Sequence, residues 1–309
     1  MNLNFTAGKS LKAFIVVLLL AFFPFERVTF AVTLYIRALT QTQDTWLRID
    51  TKEDNFSVLV PARPEITGRG YSTFGPGGVR ISEERIASLY HNGAVYIVRM
   101  YGTPSPKRLL SEYPDVLRLS KADESKLMVG GLEGKQYLKK GEGYFNFVRL
   151  VATKKRLYVL QAAARDEGNP DVRRFLSSLT LGDMDPAGIN NTSSSIGERS
   201  VNSSAMSLAP AGSKPLTEKE VTRPAVVIYK PQPPYNLRAK QHRVSGTVKF
   251  RVVLLPSGEI TNVEVLKGLA EGVTEDAASV VKSVKFLPAE KDGQFVPQYA
   301  EISYNFVIL

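Results

Sequence analysis

Between Gly182 and Tyr229 the chain has no aromatic residue, and Ser, Asn, Ala and Gly predominate. Such a stretch cannot bury enough apolar surface to offset the entropy lost on ordering it, so the chain must build a core on each side of it. The polar runs Asn190 to Ser195 and Asn202 to Ser204 are its most linker-like portions. Residues 182–223 therefore read as a flexible linker, which as a coil would span about 35 Å and at full extension on the order of 140 Å. With 309 residues, 43% hydrophobic and 23% charged, the chain has ordinary globular composition and room for two domains.

At the N-terminus, Lys9 and Lys12 precede an apolar run from Ala13 to Phe25 that ends at Glu26 and Arg27. This is the pattern of an export signal, and the run is shorter than the roughly 20 apolar residues that a membrane span needs. Thr29-Phe30-Ala31 places small residues at both signal-peptidase recognition positions, so residues 1–31 read as a signal peptide cleaved after Ala31. The alternative is an uncleaved anchor extended by Val28 to Leu34. Either way the chain beyond about residue 32 is expected in the periplasm, free or anchored to the inner membrane. The absence of cysteine excludes disulfides, thiolate nucleophiles and a lipobox. The net charge of +10 is scattered, without a basic helix, which favours solubility or an anionic envelope surface and argues against nucleic acid.

Residues 44–181 read as a mostly antiparallel α+β domain. Phe56 to Val60 is a short apolar run closed by Pro61 and Pro64. Ile86 to Tyr90 and Ala94 to Tyr101 flank His91-Asn92-Gly93, a hairpin signal because Asn-Gly accepts the positive φ angles of the tightest turns. Pro106 to Leu119 sets Leu109, Leu110, Tyr113 and Leu117 at helical spacing. Strands are expected at Lys126 to Leu132, Gln136 to Lys139, Tyr144 to Thr153 and Arg156 to Ala163. A short helix follows from Asp171 to Ser178, and Trp46 is expected to cover the core.

Residues 224–309 change period. Val248, Phe250, Val252 and Leu254 alternate with Thr247, Lys249, Arg251 and Val253, which predicts a half-buried strand. Pro256-Ser257-Gly258-Glu259 turns the chain into a second strand, Ile260 to Lys267, with Val263 and Val265 inward. Thr274 is a candidate N-cap for a helix burying Ala277, Ala278, Val281 and Val284 and stopping before Pro288. After a turn at Gly293, Ala300, Ile302, Tyr304, Phe306 and Ile308 mark the inward face of a final strand.

Several of these residues carry a family resemblance over about Pro231 to Leu309. Pro234-Tyr235-Asn236-Leu237-Arg238-Ala239, Gly246-Thr247-Val248, Pro256-Ser257-Gly258-Glu259-Ile260, Val284-Lys285-Phe286-Leu287-Pro288-Ala289, Gly293 and Val296-Pro297 resemble, in order, the motifs of the TonB C-terminal domain. The resemblance implies a small α/β domain with a three-stranded antiparallel sheet and two helices, in a non-enzymatic protein of the Gram-negative envelope. It also implies a partner-binding edge on the final strand, carried by Gln298, Tyr299, Ala300, Glu301, Ile302, Ser303, Tyr304 and Asn305, with Tyr235, Asn236 and Arg238 as flanking contacts. The implied partner is an outer-membrane TonB-dependent transporter or another envelope protein, and an energy transducer would also meet an inner-membrane proton-channel complex. Departures are Asn236 for the family's Pro, Val284 where Trp is frequent, a hydrophobic segment without His, and a linker with only Pro186, Pro210 and Pro215. The alternative fate of such an edge is pairing with its own copy in a homodimer. Phe56 to Pro61 and Phe175 to Leu179 are similar to an uncharacterised bacterial envelope domain of no known chemistry.

The residues themselves offer no catalytic constellation. His91 and His242 lie in different domains without HExxH, GxSxG, P-loop or paired-carboxylate company, and read as surface residues. Glu83 and Glu84 are adjacent on a strand and point to opposite faces. Gly130-Gly131-Leu132-Glu133-Gly134 has no following helix to hold phosphate and reads as a turn. No cofactor and no metal is expected. The competing reading makes residues 44–181 a ligand-binding or hydrolytic domain, with the C-terminal module as its tether or dimerisation element.

Overall fold

A computed structural model describes residues 46–51, 56–69, 73–181 and 213–307. The segment read as signal or anchor, residues 182–212 of the expected linker, and Ile308 lie outside the described residues. The chain is α+β, as expected from sequence. No helix among the described residues is long and apolar enough to cross a membrane.

The first lobe opens with an antiparallel pair, β1 (Leu47–Thr51) and β2 (Phe56–Val60). It continues through β3 (Glu65–Arg69), the short pair β4 (Thr73–Phe74) and β5 (Arg80–Ile81), β6 (Glu83–His91) and β7 (Ala94–Gly102). Helix α1 (Pro106–Val116) separates these from β8 (Glu124–Val129), β9 (Leu132–Gly141), β10 (Tyr144–Ala152) and β11 (Arg156–Ala164), and α2 (Pro170–Ser177) closes the lobe. Seven of the strands form one antiparallel sheet in the order β3-β6-β7-β11-β10-β9-β8.

The β6–β7 hairpin turns where Asn92 and Gly93 both adopt positive φ, 45° and 75°, the geometry that the Asn-Gly pair permits. The Lys126 to Leu132 strand is divided differently from expectation. Gly130 and Gly131, at φ of 53° and 76°, end β8 and start a tight hairpin, so Leu132 belongs to β9. Gly130 also lies against backbone, since a Cβ there would be 1.8 Å from the Leu181 carbonyl oxygen. Helix α1 buries Leu109 and Tyr113 as its spacing requires, with Leu110 and Leu117 partly buried beside them.

The sheet is covered on both faces. Phe56, Val58 and Val60 of β2 and Val172, Phe175 and Leu176 of α2 pack on Tyr96, Val98, Tyr158, Leu160 and Ala162, with Phe56 stacked on Tyr158 at 4.5 Å. Trp46 is partly buried against this cluster, and the Arg174 guanidinium lies 4.5 Å from its ring. On the opposite face α1 covers Tyr101, Tyr137, Val148, Leu150, Leu157 and Val159.

Much of the rest of that face is covered by the second lobe. This lobe contains β12 (Val226–Tyr229), α3 (Leu237–Gln241), β13 (Gly246–Leu254), β14 (Ile260–Lys267) and α4 (Val273–Val281). It ends with β15 (Lys285–Leu287), β16 (Ala289–Lys291), β17 (Gln294–Val296) and β18 (Gln298–Phe306). Strands β14, β13 and β18 form the three-stranded antiparallel sheet, while β12 pairs with β15. Val248, Phe250, Val252, Ile302, Tyr304 and Phe306 pack on Ala277, Val281 and Val284 as their alternation predicts.

Two sequence expectations need correction here. Gly272, at φ 77°, is the N-cap of α4 rather than Thr274, whose hydroxyl is already bonded to both the backbone N–H and the carbonyl of Leu269. Val265 is 49% exposed rather than covered: it stands opposite Phe250, but it lies on the edge strand β14.

The β12–β15 ribbon sits on the first lobe's sheet. Val95, Ile97, Ala163 and Leu287 form one buried cluster flanked by Ile86, Tyr90, Val226, Ile228 and Tyr229. Arg165 donates to the carbonyls of Pro224 at 2.6 Å and Pro288 at 2.9 Å. The Tyr90 hydroxyl donates to the Pro256 carbonyl at 3.2 Å, and the turn at Gly258 (φ 83°) rests on the Tyr90 ring so closely that a Cβ would lie 2.2 Å from it. Residues 213–223, within the stretch read as linker, are hydrogen bonded as well: Thr222 and Arg223 N–H both donate to the Glu290 carbonyl at 2.9 Å.

Leu287→Ala should cost about 2–5 kcal/mol in chemical denaturation, since it opens a cavity in a fully buried cluster. A second expectation concerns pH. Glu65 of β3 accepts from Lys285 at 2.8 Å and from the Ser283 hydroxyl. Burial opposes its charge, but these hydrogen bonds and the Lys285 charge outweigh burial and hold the carboxyl below its ordinary value. A depressed carboxylate stabilises the fold at neutral pH and loses that contribution as pH falls through its folded value. The Glu65 side chain is 41% exposed, so screening limits the effect. Glu65→Gln should cost less than about 1 kcal/mol at neutral pH. The difference from wild type should vanish in acid, as read by urea unfolding at both pH values.

Candidate functional site

Strand β18 lies at the edge of its sheet and pairs with β13 in unbroken register from Leu254↔Gln298 to Gly246↔Phe306. In an antiparallel strand the backbone groups of successive residues point to alternate sides. The Tyr299 N–H donates to the Leu216 carbonyl at 2.9 Å and not to β13, which fixes the parity. Tyr299, Glu301, Ser303 and Asn305 therefore turn their N–H and C=O outward, while Gln298, Ala300, Ile302 and Tyr304 bond to β13. The opposite edge, β14, is a poorer template. Its register shifts twice against β13, and Asn262 within it has φ 48°.

The outward edge is occupied at two points. Leu216 forms a parallel bridge with Gln298, its N–H donating to the Pro297 carbonyl at 2.9 Å. Further along, the Lys230 ammonium donates to the Ser303 carbonyl at 2.8 Å and lies 5.2 Å from the centre of the Tyr304 ring. Sequence reasoning missed both residues. A single Leu in a polar stretch and a single Lys before a proline-rich run carry no signal of strand contact.

The side chains named from sequence divide into several roles. Gln298 is buried and its Oε1 accepts from the Ala225 N–H at 2.8 Å, which ties the lead-in segment to β18. Ile302 and Tyr304 are core residues, and Ala300 is partly buried beside them. Burial, and secondarily Tyr229, raise the Tyr304 phenol above its ordinary value and keep it neutral. Tyr299 and Glu301 are exposed, and Asn305 accepts from the Thr247 hydroxyl.

The three flanking residues do not extend the edge. Tyr235 packs edge-on against Phe306 at 5.5 Å and donates to the Val244 carbonyl. Asn236 caps α3 by accepting from the Ala239 N–H at 2.8 Å, and its amide donates to the Glu271 carbonyl and the Asp276 carboxylate. This is an N-cap role that the side chain of Asn fulfils and a Pro there could not. Arg238 pairs with Glu271 at 2.5 Å, and His242 bonds the same carboxylate at 2.8 Å. The hydrogen bond from His242 and, against desolvation, the Arg238 charge hold the Glu271 carboxyl below its ordinary range.

Residues 231–308 match the family described as Gram-negative bacterial TonB protein C-terminal. The chain carries a TonB C-terminal domain. The match covers about a quarter of the chain and assigns this segment, not the whole protein, to that family. Lys230 stands directly before the first matched residue and Leu216 further upstream, so both contacts on the edge of the TonB C-terminal domain come from outside the matched segment. No curated protein matches the chain. The solution structure of cyanobacterial PsbP (CyanoP) from Synechocystis sp. PCC 6803 is similar over 46% of this chain and 95% of its own, at 11% identity and a TM-score of 0.30.

Leu216→Pro removes the N–H that bonds Pro297. The Tyr299 amide should then exchange with solvent at least several-fold faster, while the Ile302 amide, bonded within the sheet, should not change. Residue-resolved hydrogen exchange reads both.

Proposed function

We propose that this protein holds an extended segment of an outer-membrane transporter, or of another envelope protein, by adding it as a strand to the outward edge of β18. The observation that supports this most is the run from Glu301 to Asn305, in straight register, met on its outward side by the Lys230 side chain and by no strand among the described residues, with Ile302 and Tyr304 buried to keep it rigid. Backbone hydrogen bonds would supply the affinity, and the exposed odd-numbered side chains the choice of partner. Edge-to-edge pairing with a second copy uses the same groups, and sedimentation distinguishes it.

Ser303→Pro is a sharp test. Proline at an outward position removes an N–H that β13 does not use and places its ring where an added strand would lie. Site-specific crosslinking from Glu301 in whole envelopes should lose its partner adduct in Ser303→Pro and keep it in Ser303→Ala. An adduct that persists in Ser303→Pro rules out strand addition at this edge. Coupling to an energised inner membrane further requires the N-terminal apolar segment to be retained, which the intact mass of the exported protein determines.

A further inference from the structure

Neither α1 nor the β12–β15 ribbon covers the middle of the first lobe's sheet. Between them is a cavity of about 820 Å³, within the size range of small-molecule sites. Its floor is Arg99 and Tyr101 of β7 beside Ile86 and Glu84 of β6, which the β6–β7 register places on one face. One wall is α1, through Tyr113 and Leu117. The other is the lead-in of the TonB C-terminal domain, from Ile228 to Gln232.

Arg99 is the unusual group. It is only 6% exposed, and among the described residues it makes no ion pair with a carboxylate. A buried guanidinium without a counter-charge is costly. Its orientation is fixed all the same. Nη1 donates to Gln161 Oε1 at 2.8 Å, and Gln161 in turn donates to Asn146 Oδ1 at 3.0 Å, a polar chain buried across three strands. The Tyr229 ring from the second lobe lies 5.3 Å from the guanidinium carbon. Burial opposes the charge, but the Tyr113, Tyr101 and Tyr229 oxygens and the Glu84 carboxylate favour it, and the group stays fully protonated. Lys230 and Lys240 also line the cavity, so three cationic side chains face the single carboxylate of Glu84, a surplus of two positive charges.

Ile86, opposite Arg99 in the β6–β7 register, and Val116, Leu117, Ile228 and Val280 supply apolar lining. A held cation at the base of an apolar cleft fits a ligand with one anionic end and a hydrocarbon body. We infer that this cavity binds an amphipathic organic anion, its carboxylate or phosphate on the Arg99 guanidinium and its chain along the apolar walls. This site meets the β18 edge through Lys230, which bonds the Ser303 carbonyl; Ser303→Pro keeps that carbonyl and should leave the site intact.

Titration calorimetry of the exported protein tests it with decanoate, decyl phosphate, decyltrimethylammonium and inorganic phosphate, all below micellar concentrations. Decanoate or decyl phosphate should bind saturably at one per chain, the stronger of the two identifying the head group, and the cation with the same tail should not. Arg99→Gln should weaken binding at least tenfold. Because that change is in a buried network, Val116→Trp provides a second test. Val116 is 52% exposed on α1, so the larger ring can fill the cavity without disturbing a core, and it should weaken binding to a similar degree. Equal binding of the cationic amphiphile, inorganic phosphate binding as tightly as decyl phosphate, or anion binding unchanged in Val116→Trp would each overturn the inference.

Discussion

A strand buried on both faces has to be covered twice, and β7 is buried at every one of its nine positions. On one face Tyr96 and Val98 meet β2 and α2; on the other Tyr101 meets α1, and Val95 and Ile97 meet Leu287 of the second lobe. Each of these large side chains contributes about 1.5–3 kcal/mol when removed from water. A sheet that exposed Val95, Ile97 and Ala163 would present an apolar patch of the kind soluble proteins cover. Docking of the TonB C-terminal domain supplies that cover, and the positions of β12, the lead-in and the central cavity follow from it.

Much of the local structure was legible because each feature was specified by a few neighbouring residues. Asn92-Gly93 fixed a hairpin through its φ angles, and Val248, Phe250, Val252 and Leu254 fixed a strand face through period two. Ordered motifs fixed the family of the C-terminal domain. Errors fell where two segments had to be known together. Thr274 is a good cap in isolation, but Leu269 takes its hydroxyl. Val265 is in phase with Val263 and opposite Phe250, but it lies on the edge strand β14, which alternation along one segment cannot reveal. The docking of the lobes left one sign, the nearly unbroken apolar run of β7 with Arg99 as its single charge. Period-two alternation marks a half-buried strand, and its absence in β7 marks a strand covered on both sides.

The candidate edge shows the same division. That β18 would be a strand, with Ile302 and Tyr304 inward, followed from alternation alone. Which of its backbone groups are open did not, because that depends on Leu216 and Lys230, both outside the recognisable domain. Tyr235, Asn236 and Arg238 are engaged in packing and in the Glu271 loop, contacts that follow from segments distant in sequence.

The two ends of the stretch read as a linker also bear on how the molecule could carry force. Leu181 closes against Gly130 on the sheet, and Leu216 is bonded to β18. Both ends belong to one compact unit. A pull applied at β18 and resisted at the first lobe would load the Leu287 cluster and the Arg165 hydrogen bonds first. Those contacts join the two lobes, which makes the lobe interface the mechanical fuse of the described structure.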